Sequence, residues 1–232
     1  MPDALRVFGK ATGSLLIGML LFVFAVGVAL LPLELPVATR LLSSRYSRLP
    51  KEVARPFAEA ARDYVVTGDP EARAVLRGSI TLDELAHMDD VERVLFAANR
   101  ITFALGAVLA LWAAAVAWRD PQQAARILRC AAAALGLVLV AVVIIGAISF
   151  ETVFSAFHEM FFAPGTWMFP YDSMLIMVLP KPFWSMAALG WGLFVALVGV
   201  GYAGAAWVFK RFAGRQNRVT GWACDRVAQK AT

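Results

Sequence analysis

Four stretches of this chain contain no acidic or basic side chain at all: Gly13 to Leu33, Ile101 to Trp118, Cys130 to Phe150 and Pro182 to Phe209. As helices rising about 1.5 Å per residue, they can each cross roughly 30 Å of hydrocarbon. The second is near the lower limit and is expected to borrow from Phe96 to Arg100. A backbone in lipid must pair its polar groups within the crossing segment, so four such runs in 232 residues predict an all-α membrane protein with four transmembrane helices. The composition agrees, with 60% hydrophobic and 17% charged residues, the latter gathered in blocks between the runs.

The first run follows Arg6 and Lys10 and so has the outline of a secretory signal. Its apolar stretch exceeds the roughly 7–15 residues of a signal core and no A-x-A site follows, so it is expected to stay as a span.

Basic residues set the orientation. The N-terminal tail, the 119–129 loop and the C-terminal tail hold Arg6, Lys10, Arg119, Arg126, Arg129, Lys210, Arg211, Arg215, Arg218, Arg226 and Lys230, against Asp3, Asp120 and Asp225. The positive-inside rule makes these segments cytoplasmic. The other connections are then extracytoplasmic, and they carry both histidines and 14 of the 17 acidic residues. The chain divides accordingly into a cytoplasmic tail and first span (1–33), a small, mainly helical extracytoplasmic cap (34–99), second and third spans around the 119–129 loop (100–150), an aromatic-rich interfacial segment (151–181), and a fourth span with a basic cytoplasmic tail (182–232).

This layout narrows the function. The net charge of +5 reports topology, not nucleic-acid binding. No Walker loop points to a nucleotide, and no G-x-S-x-G elbow to a serine hydrolase. Cys130 and Cys224 both fall on the cytoplasmic side, where neither is expected to form a disulfide or act as an outer-face nucleophile.

The cap reads as three helical pieces. Val53, Phe57, Ala60, Ala61, Tyr64 and Val65 make residues 51–66 amphipathic, with Pro56 expected in the first turn. After a break at Thr67–Gly68, Asp69-Pro70 caps and opens a short helix to about Arg77, ended by Gly78. Thr81-Leu82-Asp83-Glu84 has capping-box spacing and opens the helix that carries His87. His87, Val91, Val94 and Ala98 share one face of it, which predicts a helix along the membrane surface with His87 toward lipid. A straight run into the second span would put His87 roughly 20 Å from Ile101, so a bend is expected near Ala97–Arg100.

In the second outer segment, Phe154, Phe157, His158, Phe161 and Phe162 follow helical spacing and place four rings and an imidazole on one face. Pro164-Gly165 ends that helix, and Trp167, Phe169 and Tyr171 follow before the apolar run Met174 to Leu179. Glu159, Pro164, Pro170 and Asp172 exclude a fifth span and predict an interfacial or partly re-entrant segment.

His87 and His158 are the only histidines, they fall on one side of the membrane, and imidazole is suited to proton transfer near neutrality. They are the candidate catalytic residues. The plain structural readings stand beside this one. Aromatic residues gather at headgroup level, and a histidine among them can simply bond to water or a carbonyl. Glu84 is accounted for by capping, and Asp90 by solvation. The stretch beginning His158-Glu159 has Phe162 where a zinc-protease motif needs its second histidine. A metal held by the histidines and Asp90 is a lesser alternative, and no metal or other cofactor is expected. Gly190, Gly192, Gly199, Gly201 and Gly204 are expected to allow close packing of the last span.

The stretch Glu84-Leu-Ala-His87-Met88-Asp-Asp90-Val91, with Tyr64 upstream, resembles the lipoprotein intramolecular transacylase (Lit) family. So do Phe157-His158-Glu-Met-Phe-Phe162, Trp167, Asp172 and Leu175-Ile-Met-Val-Leu-Pro180. The resemblance spans most of the chain, and the two histidine motifs are its specific part. Two positions depart from it: Lys181 stands where an acid is expected and Trp184 where a second Phe is typical.

The resemblance implies a bacterial cell-membrane enzyme with its active site at the outer face. Its substrate would be a diacylated lipoprotein, and membrane lipids would be its other partners. The sn-2 acyl chain of a diacylglyceryl-modified N-terminal cysteine would move to that cysteine's α-amino group, giving a lyso-form lipoprotein. His87 and His158 carry the chemistry, with Asp90, Glu84, Met88, Tyr64, Phe154, Phe157, Phe161, Phe162, Trp167 and Asp172 supporting them or binding substrate. An α-amino group of pKa about 7.7–8.0 is partly neutral at pH 7, and a nearby imidazole can take its second proton as the C–N bond forms. Because ester and amine belong to one molecule, holding them together supplies up to about 7–11 kcal/mol. Two other readings fit the same residues: a non-enzymatic lipid-binding or accessory membrane protein, and a phospholipase-like hydrolase.

Overall fold

A computed structural model describes residues 2–230, with side chains described for 12–116 and 119–214. Asp3, Arg6, Lys10, Arg215, Arg218, Cys224, Asp225, Arg226 and Lys230, on which part of the orientation rests, lie outside the described side chains. Among the described residues the chain forms nine α-helices and no strand: α1 (Pro2–Val28), α2 (Pro36–Tyr46), α3 (Lys51–Thr67), α4 (Pro70–Arg77), α5 (Leu82–Arg119), α6 (Pro121–Ile148), α7 (Phe150–Phe161), α8 (Met174–Val178) and α9 (Lys181–Lys230). A 3-10 turn, Leu31–Glu34, follows α1. Four helical stretches are long and apolar enough to cross a membrane, Thr12–Glu34, Leu82–Val116, Pro121–Ile148 and Lys181–Gly214. Each overlaps one of the four uncharged runs, and the second begins at Leu82, well before Ile101.

The chain divides into two compact units, each discontinuous in sequence. The first comprises residues 1–25, 104–137 and 196–232. Leu21, Leu109, Leu128, Ala131 and Ala206 bury its centre, flanked by Trp112 and Tyr202. The Tyr202 hydroxyl donates to the Leu21 carbonyl at 2.8 Å and Gln123 donates to Ser14 at 3.0 Å, which pairs polar groups inside a lipid-facing bundle. Leu15, Leu111, Leu137 and Val200 are exposed, as a bundle whose solvent is hydrocarbon requires.

The second unit comprises residues 26–103 and 138–195 and holds both histidines. Its core joins α3, α4, the start of α5, α8 and the start of α9 through Phe57, Ala61, Leu76, Leu85, Met88, Leu175, Val178 and Phe183. Alanines 54, 58, 60 and 61 line the buried side of α3 and let its neighbours approach closely. Val53, grouped with the apolar face in the sequence, is instead exposed, and Ala54 and Ala58 take the buried positions. Pro56 lies in the second turn and not the first, because α3 begins at Lys51; one backbone bond is missing there.

The helix boundaries follow from local chemistry. Gly68 closes α3 at φ 70°, a left-handed conformation that favours glycine. Asp69 caps α4 by accepting from the Glu71 N–H at 3.0 Å, and Gly78 ends it. At the start of α5 the Glu84 N–H donates to Thr81 Oγ1 at 3.2 Å and the Thr81 N–H donates to Glu84 Oε2 at 2.9 Å, the reciprocal pairing of a capping box.

Helix α5 is uninterrupted through Ala97–Arg100, where the sequence predicts a bend. Residues 82–105 contain neither proline nor glycine, so nothing breaks the ladder. Thr102, 4% exposed, returns its hydroxyl to the Ala98 carbonyl and packs against Gly27; a Cβ on Gly27 would clash with the Thr102 hydroxyl oxygen. Of the five glycines expected to admit neighbours in the last span, Gly190, Gly192 and Gly199 do so, against Leu33, Leu139 and Leu135. A Cβ on Gly201 or Gly204 would meet no other element within 4 Å among the described residues, so neither serves such a contact there.

Candidate active site

Helix α5 supplies His87 and α7 supplies His158. Ser149 starts α7 by accepting from the Thr152 N–H at 3.3 Å. Within that helix Phe154, Phe157 and His158 group on one face by their i, i+3, i+4 spacing. The chain then turns at Gly165, φ 83°, and brings Trp167 and Phe169 back to the same place.

The two imidazole centroids lie 6.2 Å apart, and no His–His hydrogen bond joins them. Around His158 are Phe154 at 4.0 Å, Trp167 at 4.8 Å, and Phe157 and Phe162 both at 5.6 Å. Around His87 are Phe162 at 4.8 Å, edge to face, and Phe169 at 5.6 Å. Phe162 touches both imidazoles and is itself buried. Sequence spacing turned His87 toward lipid, but it is 7% exposed and lies against protein. The buried stripe of α5 runs through Glu84, Leu85 and Met88 beside it, a choice made by α8 and the 162–169 segment packing there.

The hydrogen bonding of the two rings differs. His158 Nδ1 lies 2.8 Å from the Phe154 carbonyl oxygen. A carbonyl only accepts, so this nitrogen carries the proton and the neutral ring keeps its lone pair on Nε2. His87 Nδ1 is enclosed and has no partner. Burial among the rings pulls the His87 pKa down to about 4, His158 acting in the same direction and Asp90 against it. Burial also lowers His158, partly offset by its bond to Phe154. Both rings are therefore neutral at pH 7.

The remaining sequence candidates separate. Glu84 does not reach His87. It is 2% exposed, and besides capping α5 its Oε1 accepts from the Leu175 N–H at 3.3 Å, which ties α8 to α5. Asp90 pairs with Arg93 and makes no hydrogen bond to His87. Tyr64 hydrogen-bonds to neither imidazole and donates to Asp89 at 2.6 Å; Arg73 donates to the same carboxylate at 2.9 and 2.7 Å. This network joins α3, α4 and α5, and Arg73 holds the Asp89 carboxyl below its ordinary range. Met88 is buried in the core, and Phe161 rests on Phe157, reaching neither histidine. Asp172 is exposed. Trp167 does join the site, and its indole N–H is buried without an acceptor.

Phe169, against His87, and the Asp89–Arg73 pair are site and framework residues beyond those the sequence singles out. Position in the Trp167-Phe169-Tyr171 alternation was the available signal for the first, and none existed for the second. Among the described residues, no three His, Cys, Asp or Glu side chains lie together as a metal site. The departure at Lys181 has a local explanation, since Lys181 pairs with Glu151 at the start of α7.

An all-helical chain with four spans, in which the two histidines face one another among aromatic rings, defines a membrane-integral protein with a paired-imidazole site. Residues 67–184, just over half of the chain, match the family profile described as lipoprotein intramolecular transacylase Lit, and the chain belongs to that family. No functionally curated protein matches it in sequence.

Among solved structures it resembles the membrane integral lipoprotein intramolecular transacylase Lit from Bacillus cereus. The TM-score is 0.71 and the identity 15%, over 91% of this chain and 99% of that one. Two variants of the Bacillus cereus protein, one histidine replaced by arginine or by alanine, match at TM-scores of 0.62 and 0.63. They are 14% and 13% identical, cover 94% of this chain and are covered over 99% and 100% of their own length. At these identities the likeness concerns the fold.

Proposed function

We propose that this protein moves the sn-2 acyl chain of a diacylglyceryl-cysteine lipoprotein onto that cysteine's own α-amino group, at the outer face of the membrane. The observation that carries this reading is the unlike hydrogen bonding of two facing, neutral imidazoles. His158, its proton engaged at Nδ1, offers a lone pair at Nε2 and acts as the base. For His87, a proton on the enclosed Nδ1 would be an orphaned donor, whereas a proton on Nε2 leaves only a lone pair unmet. His87 is therefore a donor at Nε2.

The reaction closes with these two roles. The amine nitrogen attacks the sn-2 carbonyl carbon, and His158 Nε2 takes the proton released as the C–N bond forms. The His87 Nε2–H stabilises the developing oxyanion. When the C–O bond breaks, His158 returns its proton to the glycerol oxygen, so both imidazoles end as they began. The aromatic wall confines ester and amine in one pose and keeps water from the ester.

Mass spectrometry of the N-terminal peptide of a defined diacyl lipoprotein, incubated with the purified protein, tests this. Unchanged mass with one acyl group relocated to nitrogen is expected. Loss of an acyl chain would mean hydrolysis, and an untouched substrate would favour a non-enzymatic role. His158→Gln should lower the rate by roughly 10²–10⁴-fold, the span ascribed to general base catalysis. His87→Gln, which keeps an N–H donor, should retain more activity. The opposite ranking would refute the division of labour.

A further inference from the structure

The outer segment is acidic as a whole, yet residues 40–55 hold Arg40, Arg45, Arg48, Lys51 and Arg55 against the single Glu52. The charge rule that explains the cytoplasmic cations does not explain these. Two are engaged: Arg40 pairs with Glu59 at 2.7 Å, and Arg48 donates to the Tyr171 carbonyl while its guanidinium covers the Tyr171 ring. Among the described residues, Arg45, in the last turn of α2, and Lys51, at the start of α3, pair with no carboxylate.

Arg45 and Lys51 border an open cleft of about 630 Å³ together with Tyr46, Leu41, Leu42 and Met186. Leu41, Leu42 and Arg45 come from α2 and Lys51 from the start of α3, while Met186 is brought to them from α9 within the same unit. Met186 lies in the first turns of the fourth apolar run, while α2 starts directly after the turn that ends the first span. An apolar wall that continues from a span, with two unpaired cations beside it, matches a phospholipid in both halves: acyl chain on Leu and Met, phosphate on Arg and Lys.

We propose that Arg45 and Lys51 hold the phosphodiester of a net-anionic membrane phospholipid. A diacylglyceryl-cysteine carries no phosphate, so the site is one for a resident lipid, separate from the substrate, and it stands whether or not the transacylase reading does. The lipid anchors the α2–α3 corner to the headgroup layer of the bilayer.

The test uses the full chain, delipidated in neutral detergent and titrated with phosphatidylglycerol or phosphatidylcholine, with bound lipid counted by native mass spectrometry. Each surface cation contributes roughly fivefold, so phosphatidylglycerol should be preferred by about thirtyfold. Arg45→Gln and Lys51→Gln should each lose about fivefold and the double variant nearly all of the preference, with unchanged melting temperature. Arg55→Gln, which alters an exposed cation outside the cleft, should behave as wild type. No preference in the wild type, an equal loss in Arg55→Gln, or a double variant that still discriminates would overturn the proposal. Displacement of the lipid by millimolar inorganic phosphate would overturn the lipid as occupant and leave a free phosphate ion in its place.

Discussion

Glu84 separates a framework role from a catalytic one. Its carboxylate is 2% exposed and accepts from the Thr81 N–H, the Thr81 hydroxyl and the Leu175 N–H. Leu175 is itself 7% exposed, so Glu84→Ala leaves a buried donor without a partner, at about 1–3 kcal/mol. Thr81 is exposed and can turn to water, so the lost cap adds about 1 kcal/mol. The one buried methylene that is lost, Cγ, adds about 0.8 kcal/mol more. The variant should lose about 3–5 kcal/mol, seen as a drop of roughly 6–20 °C in thermal unfolding for a chain of this size. Glu84→Gln keeps the shape and one acceptor, and should lose about 1–2 kcal/mol. The assay is differential scanning fluorimetry in detergent, with acyl transfer measured on the folded fraction well below the transition. Glu84→Gln should keep near wild-type activity per folded molecule. A variant that melts like wild type yet fails to transfer would refute the reasoning and place Glu84 in service of His87.

Three further outcomes are expected. Because the folded pKa of His87 lies at about 4, the unfolded chain binds more protons between pH 6.5 and 4; the stability it contributes is present in full above about pH 6.5 and is lost as pH falls toward 4, up to about 3 kcal/mol. Thermal unfolding at pH 7 and pH 5 should show that slope in wild type and a smaller one in His87→Leu. Tyr64→Phe should cost about 1 kcal/mol through its bond to Asp89 and leave the rate constant for transfer unchanged, as single-turnover kinetics would reveal. Gly27→Ala should be strongly destabilising, since the new methyl meets the Thr102 hydroxyl, and Thr102→Ala added to it should recover much of the lost melting temperature.

Much of the architecture is written locally. Apolar runs of span length leave a bilayer as their compatible solvent, and Asp69-Pro70, Gly68, Gly78 and the Thr81–Glu84 box place helix ends through contacts within a few residues. Both histidines and the aromatic face of α7 were visible for the same reason, spacing along one helix. Partners distant in sequence were not. The carboxylate of Glu84 meets Leu175 across 91 positions, and Asp89 takes both Tyr64 and Arg73 from separate helices.

His87 shows where that line falls. Helical spacing grouped it with Val91 and Val94 and so turned it toward lipid, because amphipathicity reports which residues share a face and not what packs on that face. The sequence by itself determined that this is a four-span helical protein with two histidines, one of them, His158, on an aromatic helix face, since solvent preference and capping act over one helix. Only the tertiary structure decided that the imidazoles stand 6.2 Å apart, neutral and unlike in their hydrogen bonds, because burial and long-range packing set ring environment.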